Sequence, residues 1–267
     1  MIGSSTYKDV SMDKEILKQA FTESSVPEYK CPRCYKGHLR LEGKFTGLET
    51  EGSASAHHEE WWEPEYIELI FNCTLKCVSC SELVFVVGNG VVEEEYDVDE
   101  KGEWSRDWTS YYRPTFFHPP LQLIDYPAKA PKEVVSPLST AGAMFFSSPA
   151  SSCNAIRASA EEVLTHLGIP VKAEDKFISF GNRINLLPED QVSTRNLFNA
   201  IRWIGNHGSH PGNEIEFEDA LHALEIMEYL LEEVFGDRKQ ALEALAAAIN
   251  DRRGPVGRLF KFESNSN

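Results

Sequence analysis

Two Cys-x-x-Cys pairs, Cys31-Pro-Arg-Cys34 and Cys77-Val-Ser-Cys80, constrain this chain more than any other feature. Thiolates two residues apart can grip one ion, and two such pairs complete the four-sulfur tetrahedral set that zinc favours. A closed set of four sulfurs leaves no open coordination position, so the expected role of the zinc is structural: it staples a β-rich module too small for a large core. Gly37 follows the first pair and supplies the turn that brings backbone amides toward the sulfurs. Residues 35–76 lie between the pairs, well beyond the about 15 to 20 residues usual between the halves of such a site. That segment must therefore contain an insertion or an extra hairpin. Cys73 is either a substitute ligand or a small core hydrophobe. His57 and His58, beside Glu59, Glu60, Trp61 and Trp62, are either a second metal site or part of an exposed acidic loop with aromatic anchors.

Strand-like runs at 66–75 and 83–87 flank the second pair, the latter ended by a Gly88-Asn89-Gly90 turn. The layout resembles a zinc ribbon. Residues 13–21 have the pattern of a short helix. The acidic run at 91–103 reads as a solvated edge strand entering a loop, its charge opposing edge-to-edge pairing. Residues 104–131 are dense in aromatics and prolines, which predicts an ordered connector without long regular structure.

From Lys132 onward the apolar period changes to that of helices, over 132–147 with an interruption at Pro137, 151–167, the first part of 194–211, 216–235 and 238–248. Short links between such helices predict an antiparallel bundle. The expected architecture is α+β: a β-rich module with its connector at 1–131, a helical bundle at 132–250 and a mobile tail at 251–267, where Leu259, Phe260 and Phe262 are candidates for docking. The first residues contain no apolar signal region, and no stretch approaches the roughly 18 apolar residues of a membrane span. A cytoplasmic protein with no membrane association is expected, which favours metal over disulfides for the cysteines. The net charge of −16 disfavours a broad nucleic-acid groove, although a local cationic site inside a cleft is screened from the rest of the surface.

The chemistry-bearing stretch is 194–211, TRNLFNAIRWIGNHGSHP. Leu197, Ile201 and Ile204 give a buried face, while Arg195, Asn199, Arg202 and Asn206 form a polar stripe. Gly205-Asn206 and Gly208 are expected to end the helix and leave His207 and His210 in the following turn. Arg202 and His207 form an R-x4-H pattern, and Arg157 with Glu161 and Glu162 lies on the preceding helix. Arginine can clamp a phosphate and stabilise charge on a pentacoordinate transition state, and histidine can move the proton. These are the requirements of metal-independent RNA scission by 2′-hydroxyl attack, with cyclic phosphate ends. The bland alternative is that Arg202 pairs with Glu161 or Glu162 and the glycine-histidine segment is a self-bonded turn.

R-x4-H in an all-helical bundle resembles the HEPN superfamily, whose nuclease members work as dimers. More narrowly, Arg157-x3-Glu161 with Leu164 and Gly168, Arg202-x2-Gly205-Asn206, Ser209-His210-Pro211 and Pro119-Pro120-Leu121 resemble the bacterial family catalogued as domain of unknown function 4145. The resemblance implies a HEPN-like fold, a homodimer, and either an endoribonuclease acting in defence against foreign nucleic acid or a non-catalytic module. The latter would bind a nucleotide, RNA or another phosphate-bearing ligand, or a partner protein of a defence or regulatory system. It implies catalytic roles for Arg202, Asn206 and one histidine. In the narrower family that histidine aligns with His210, so His207 and His210 are both candidates.

Overall fold

The computed structural model describes residues 14–98, 102, 104–208 and 214–257. After a 3-10 turn at Lys14–Lys18 and the first cysteine pair, β1 (Leu39–Glu49) leads away from the cysteines and β2 (Glu68–Cys77) returns to them. The segment between the cysteine pairs is thus a hairpin, and its far end carries α1 (Glu51–Ser55) and a 3-10 turn at Pro64–Tyr66. β3 (Leu83–Val98) and β4 (Trp104–His118) complete an antiparallel sheet of order β1-β2-β3-β4.

Two sequence expectations are corrected here. Gly88-Asn89-Gly90 is not a turn, and β3 runs straight through it. A Cβ at Gly88 would meet the Phe71 ring at 2.6 Å and the Arg113 carbonyl, and one at Gly90 would meet Tyr112 at 2.5 Å. The glycines make room for aromatic side chains lying across the sheet. The acidic run continues β3 past the last residue pair with β2, Glu68 opposite Val91, so from Val92 to Val98 it pairs with β4 alone and its other side is an open edge, as the charge pattern predicts. The supposed connector supplies β4, fifteen residues long. Pro114 is tolerated there because β4 is the edge strand and the register shifts beside it, between Val87 and Gly88.

Alternation along β2 and β3 buries Leu69, Phe71, Cys73, Leu75, Val84, Val86 and Val92 on one face. There Phe45 stacks on Phe71 at 5.0 Å, Tyr112 closes on both rings, and Phe21 and Tyr29 from the N-terminal segment cover them. Phe21 also exchanges backbone hydrogen bonds with Tyr112, which satisfies part of the open edge of β4.

The helical region comprises α2 (Lys132–Met144), α3 (Pro149–His166), α4 (Phe180–Asn185), α5 (Val192–His207), α6 (Phe217–Phe235) and α7 (Arg238–Arg252). A two-stranded ribbon of β5 (Lys172–Ala173) and β6 (Lys176–Phe177) sits between α3 and α4. Pro137 does not interrupt α2, which continues to Met144. Two buried serines of α3 fasten α2: Ser159 Oγ donates to the Val134 carbonyl at 2.6 Å and Ser152 Oγ to that of Ala141 at 3.0 Å. Ser148 caps α3, and Gly168 follows it at φ +81, a left-handed stop. Glu216 and Asp219 form a capping box on α6.

Sheet and helices share one cluster of buried residues. Phe117 of β4 meets Phe146 at 5.0 Å, and Phe145 meets Phe217 of α6 at 4.7 Å. Glu228 of α6 accepts from Lys14 Nζ at 2.7 Å and from the Asp125 amide at 2.9 Å. No helix among the described residues is long and apolar enough to cross a membrane. His210, with Ser209 and Pro211, lies outside the described residues, as do residue 13 and tail residues Leu259, Phe260 and Phe262.

Because β3 passes through Gly88 in a packed interior, Gly88→Ala should destabilise the protein by about 2 kcal/mol through overpacking. Urea unfolding measures this. An unchanged midpoint would mean that residue 88 sits in an open turn.

Candidate functional site

Both cysteine pairs form the same knuckle. The Tyr35 amide donates to the Cys31 carbonyl at 3.1 Å and the Ser81 amide to that of Cys77 at 3.0 Å. Tyr35 and Ser81, each just after the second cysteine, share a left-handed backbone with φ 55 and 61. These turns aim amides at sulfur: Arg33 N at Cys31 Sγ (3.4 Å), and Ser79 N and Cys80 N at Cys77 Sγ (3.3 and 3.4 Å). Gly37 serves by what it lacks, since a Cβ there would lie 2.6 Å from both Cys77 Sγ and Ser79 Oγ. Arg33 and Glu82 join the knuckles across a 2.8 Å ion pair.

The four Sγ atoms lie within 4.8 Å of one another, with Cys31–Cys80 and Cys34–Cys77 both at 3.6 Å. Corners of a tetrahedron around an ion with metal–sulfur bonds of about 2.3 Å are about 3.8 Å apart, whereas a disulfide needs about 2.05 Å. This arrangement can hold a metal ion. The amides of Lys36 and Gly37 hold the Cys34 thiol down to about 6, while burial pushes Cys31 up to about 12. Cys73 is not part of the set: it is buried in the sheet core, where desolvation pushes its thiol to about 12. Burial does the same to Cys153. His57 pairs with Glu49 at 2.7 Å and lies 4.3 Å from the Trp62 ring, and His58 is 3.5 Å from Glu59. Among the described residues neither histidine belongs to a metal-ligating group.

At the second candidate site α5 extends to His207, with Gly208 as its C-cap. His207 therefore ends the helix instead of following it. Gly205 is interior and buried, and a Cβ on it would press at 3.0–3.1 Å on the aliphatic stem of Arg157, so its role is the close crossing of α3 over α5. The fully buried positions of α5 are Thr194, Phe198, Ile201 and Gly205, with Leu197 and Ile204 partly buried beside them.

The polar stripe separates into different tasks. Arg195 donates to the carbonyls of Leu187 and Asn185 and so closes the end of α4. Asn206 Oδ1 accepts from Arg157 Nη1 at 2.5 Å, and Arg157 Nε donates to Glu161 at 3.1 Å. Glu161 is thus engaged by Arg157. Arg202 lies over the Trp203 ring, 4.2 Å from its centroid, and a side chain at Gly181 would run into its guanidinium. The Arg202 Nε is buried without a hydrogen-bond partner among the described residues. Trp203 is 62% exposed, and His207 is exposed one turn further on. The structure thus joins Arg157, Glu161 and Asn206 in one network and places Arg202 with Trp203.

With this geometry in place, residues 139–252 can be compared with known families. They match the family described as domain of unknown function (DUF4145). Residues 19–117, the sheet with its cysteine cluster, match a second family model, domain of unknown function (DUF8608). No curated protein and no solved structure matches the chain. Neither matching description names an activity.

Within the DUF4145 region, sequence reasoning missed Arg183. It is only 2% exposed, donates to the carbonyls of Glu161 and Ile169 and to Thr165 Oγ1 at 2.8–3.1 Å, and closes the C-terminal end of α3. Burial lowers its pKa, while the negative helix end favours its charge. The available signal was an arginine within the apolar-patterned stretch 177–187, well past the α3 stop at Gly168.

Metal ligation requires thiolates, so protons compete with the ion as the pH falls. Dialysed protein should carry about one ion per chain at neutral pH and lose it progressively on acidification. Elemental analysis across a pH series checks this. A content insensitive to pH, or unchanged in Cys77→Ser, would contradict the assignment.

Proposed function

We propose that the DUF4145 region is a HEPN-like module that binds a single RNA strand, and that the N-terminal module is a zinc-ribbon-like scaffold whose structural ion is zinc. The zinc reading is supported by four sulfurs at tetrahedral spacing. The observation that carries the binding reading is the stack of Arg202 on the mostly exposed Trp203 ring, with His207 at the next turn of the same helix face. A base can stack on the remaining indole surface, which contributes about 1–3 kcal/mol per base. The guanidinium and the imidazole then reach the flanking phosphates by charge-assisted hydrogen bonds. Asn206, held by Arg157, sits beside them.

Binding ranks above cleavage for a geometric reason. Residues five apart on an α-helix point about 140° away from each other, so Arg202 and His207 of one chain address different faces. Trp203 and His207, four apart, address nearly the same one. Scission through R-x4-H would need arginine and histidine to converge on one phosphate, and His210 lies outside the described residues. A place in defence against foreign nucleic acid, with a partner protein, belongs to the same proposal and rests on the family resemblance.

Fluorescence anisotropy with a short labelled single-stranded RNA, read beside an end-group assay for cyclic phosphates, tests the proposal. Wild type should bind and leave the RNA intact, and Trp203→Ala and Arg202→Ala should each weaken binding by about tenfold. Equal affinity in all three proteins, or no binding by wild type, refutes the reading. Cyclic-phosphate products that vanish in Arg202→Ala and His207→Ala would show a nuclease instead.

A further inference from the structure

The sheet has two apolar faces, and the described chain covers one of them. Antiparallel strands with one solvated face ordinarily alternate apolar inward with polar outward. β3 departs from that rule at its start, Leu83-Val84-Phe85-Val86-Val87, a run of the kind found in strands buried on both faces. Val84 and Val86 enter the core, whereas Phe85 and Val87 lie on the other face and are exposed. The register carries this outer surface across the sheet: Val87 lies opposite Phe116 of β4, and Ile70 of β2 lies opposite Leu48 of β1. Val91 continues it along β3. Leu48 is 57% exposed and Phe85 55%, and Ile70, Val91 and Phe116 are exposed beside them. A contiguous apolar patch of this kind marks an interaction site, since an apolar sheet face is ordinarily buried against a second layer.

The same face turns acidic where β3 and β4 run on beyond β2. Glu93, Glu95 and Asp97 continue the alternation of Phe85, Val87 and Val91 along β3, and Asp107 lies opposite Glu95. The hydroxyls of Tyr111 and Thr109 donate to Glu95 across the strands, and Asp97 and Asp107 accept from the amides of Val98 and Trp108. These partners are neutral, so the negative charge is not compensated. Arg106, the one basic residue of the paired strands at 92–98 and 104–110, lies on the opposite side and pairs with Glu94. Arg113 stands at the β4 edge, two rows from Glu93. Toward the cysteines, by contrast, Lys76 pairs with Glu42 and Arg40 with Glu28.

We propose that this face docks an amphipathic helix of a partner protein, whose apolar side covers the patch and whose lysines or arginines, gathered at one end, meet Glu93, Glu95, Asp97 and Asp107. Charge selects the occupant. Carboxylates without cations repel a phosphate backbone and attract a basic segment, so nucleic acid does not suit this face. Apolar and acidic groups on one side also set the direction of the helix, because a reversed helix leaves the carboxylates unpaired. A helix laid on the face supplies the missing second layer without needing a free strand edge. This contact is independent of the RNA-binding reading, since it uses no residue of the Arg202–Trp203 site.

Fluorescence anisotropy of the full chain with labelled synthetic peptides tests it, with circular dichroism as the folding control. The probes are an amphipathic helix of leucine and glutamine with lysines at its C-terminal end, the same helix with glutamates there, and a scrambled form of the first. The lysine-ended helix should bind about tenfold or more tightly than either control. Phe85→Asp and Ile70→Asp, both at exposed positions, should each weaken it by about tenfold. Glu93→Lys with Asp97→Lys should shift the preference to the glutamate-ended helix. No binding, equal binding of the peptides, or indifference to these substitutions overturns the proposal. So does an affinity that rises in Phe260→Asp with Phe262→Asp, which would make the chain's own tail the occupant, or a self-association that Phe85→Asp abolishes, which would make it a second copy.

Discussion

The convergence of four thiols at one end of the sheet is the constraint on which the N-terminal half depends. β1 starts two residues after Gly37, β2 ends on Cys77, and β3 starts three residues after Cys80. The cluster therefore ties the ends of three strands to the N-terminal segment. That segment brings Phe21 and Tyr29 onto the buried face, so the first knuckle also anchors the cover of the aromatic core. Without an ion, four sulfurs this close would have to share protons, because ionising several neighbouring thiols in a half-buried site is unfavourable. A bound metal ion would remove that conflict, and the amides already directed at sulfur would orient the ligands around it.

The helical half depends on the sheet in turn. Phe117 meeting Phe146, and Glu228 receiving Lys14 and the Asp125 amide, link α6 and the end of α2 to the β module. α6 supports α5 from behind: Thr194 donates to Glu233 at 2.8 Å, and Ile201 and Phe198 are buried in the shared cluster. On the other side Gly205 lets the Arg157 stem lie against α5. Trp203 and His207, with Asn196 and the first residues of α5, remain exposed after these contacts are made. The candidate ligand surface is thus the face of α5 that the bundle leaves uncovered, on a helix fixed along its other sides.

The cysteine ligands were legible in the sequence because a four-thiol site is specified by residue type and short spacing alone. The stop of α3 at Gly168 could be read for a similar reason, since the partners of a helix end lie within a few residues, but its start could not: the pattern begins the helix at 151, whereas Ser148 caps a helix that starts at Pro149. What escaped depends on partners distant in the chain. Gly88 and Gly90 have the composition of a turn, and only Phe71 and Tyr112, brought across from neighbouring strands, explain them as spacers. Pro114 argued against a strand until β4 proved to be an edge with a register shift beside it. The stripe on α5 was visible as a pattern, but pattern could not assign Arg195 to the end of α4 or Asn206 to Arg157. Arg183 was missed because its acceptors are carbonyls, which sequence does not distinguish.

The N-terminal half returns to one cluster of four thiols and the coordination sphere proposed for it. X-ray absorption at the zinc edge of the purified full chain examines that sphere without passing through activity or stability. The account predicts a single shell of four sulfur scatterers at about 2.3 Å. A mixed shell with nitrogen or oxygen ligands, or protein purified without bound metal and carrying disulfides in its place, would contradict it.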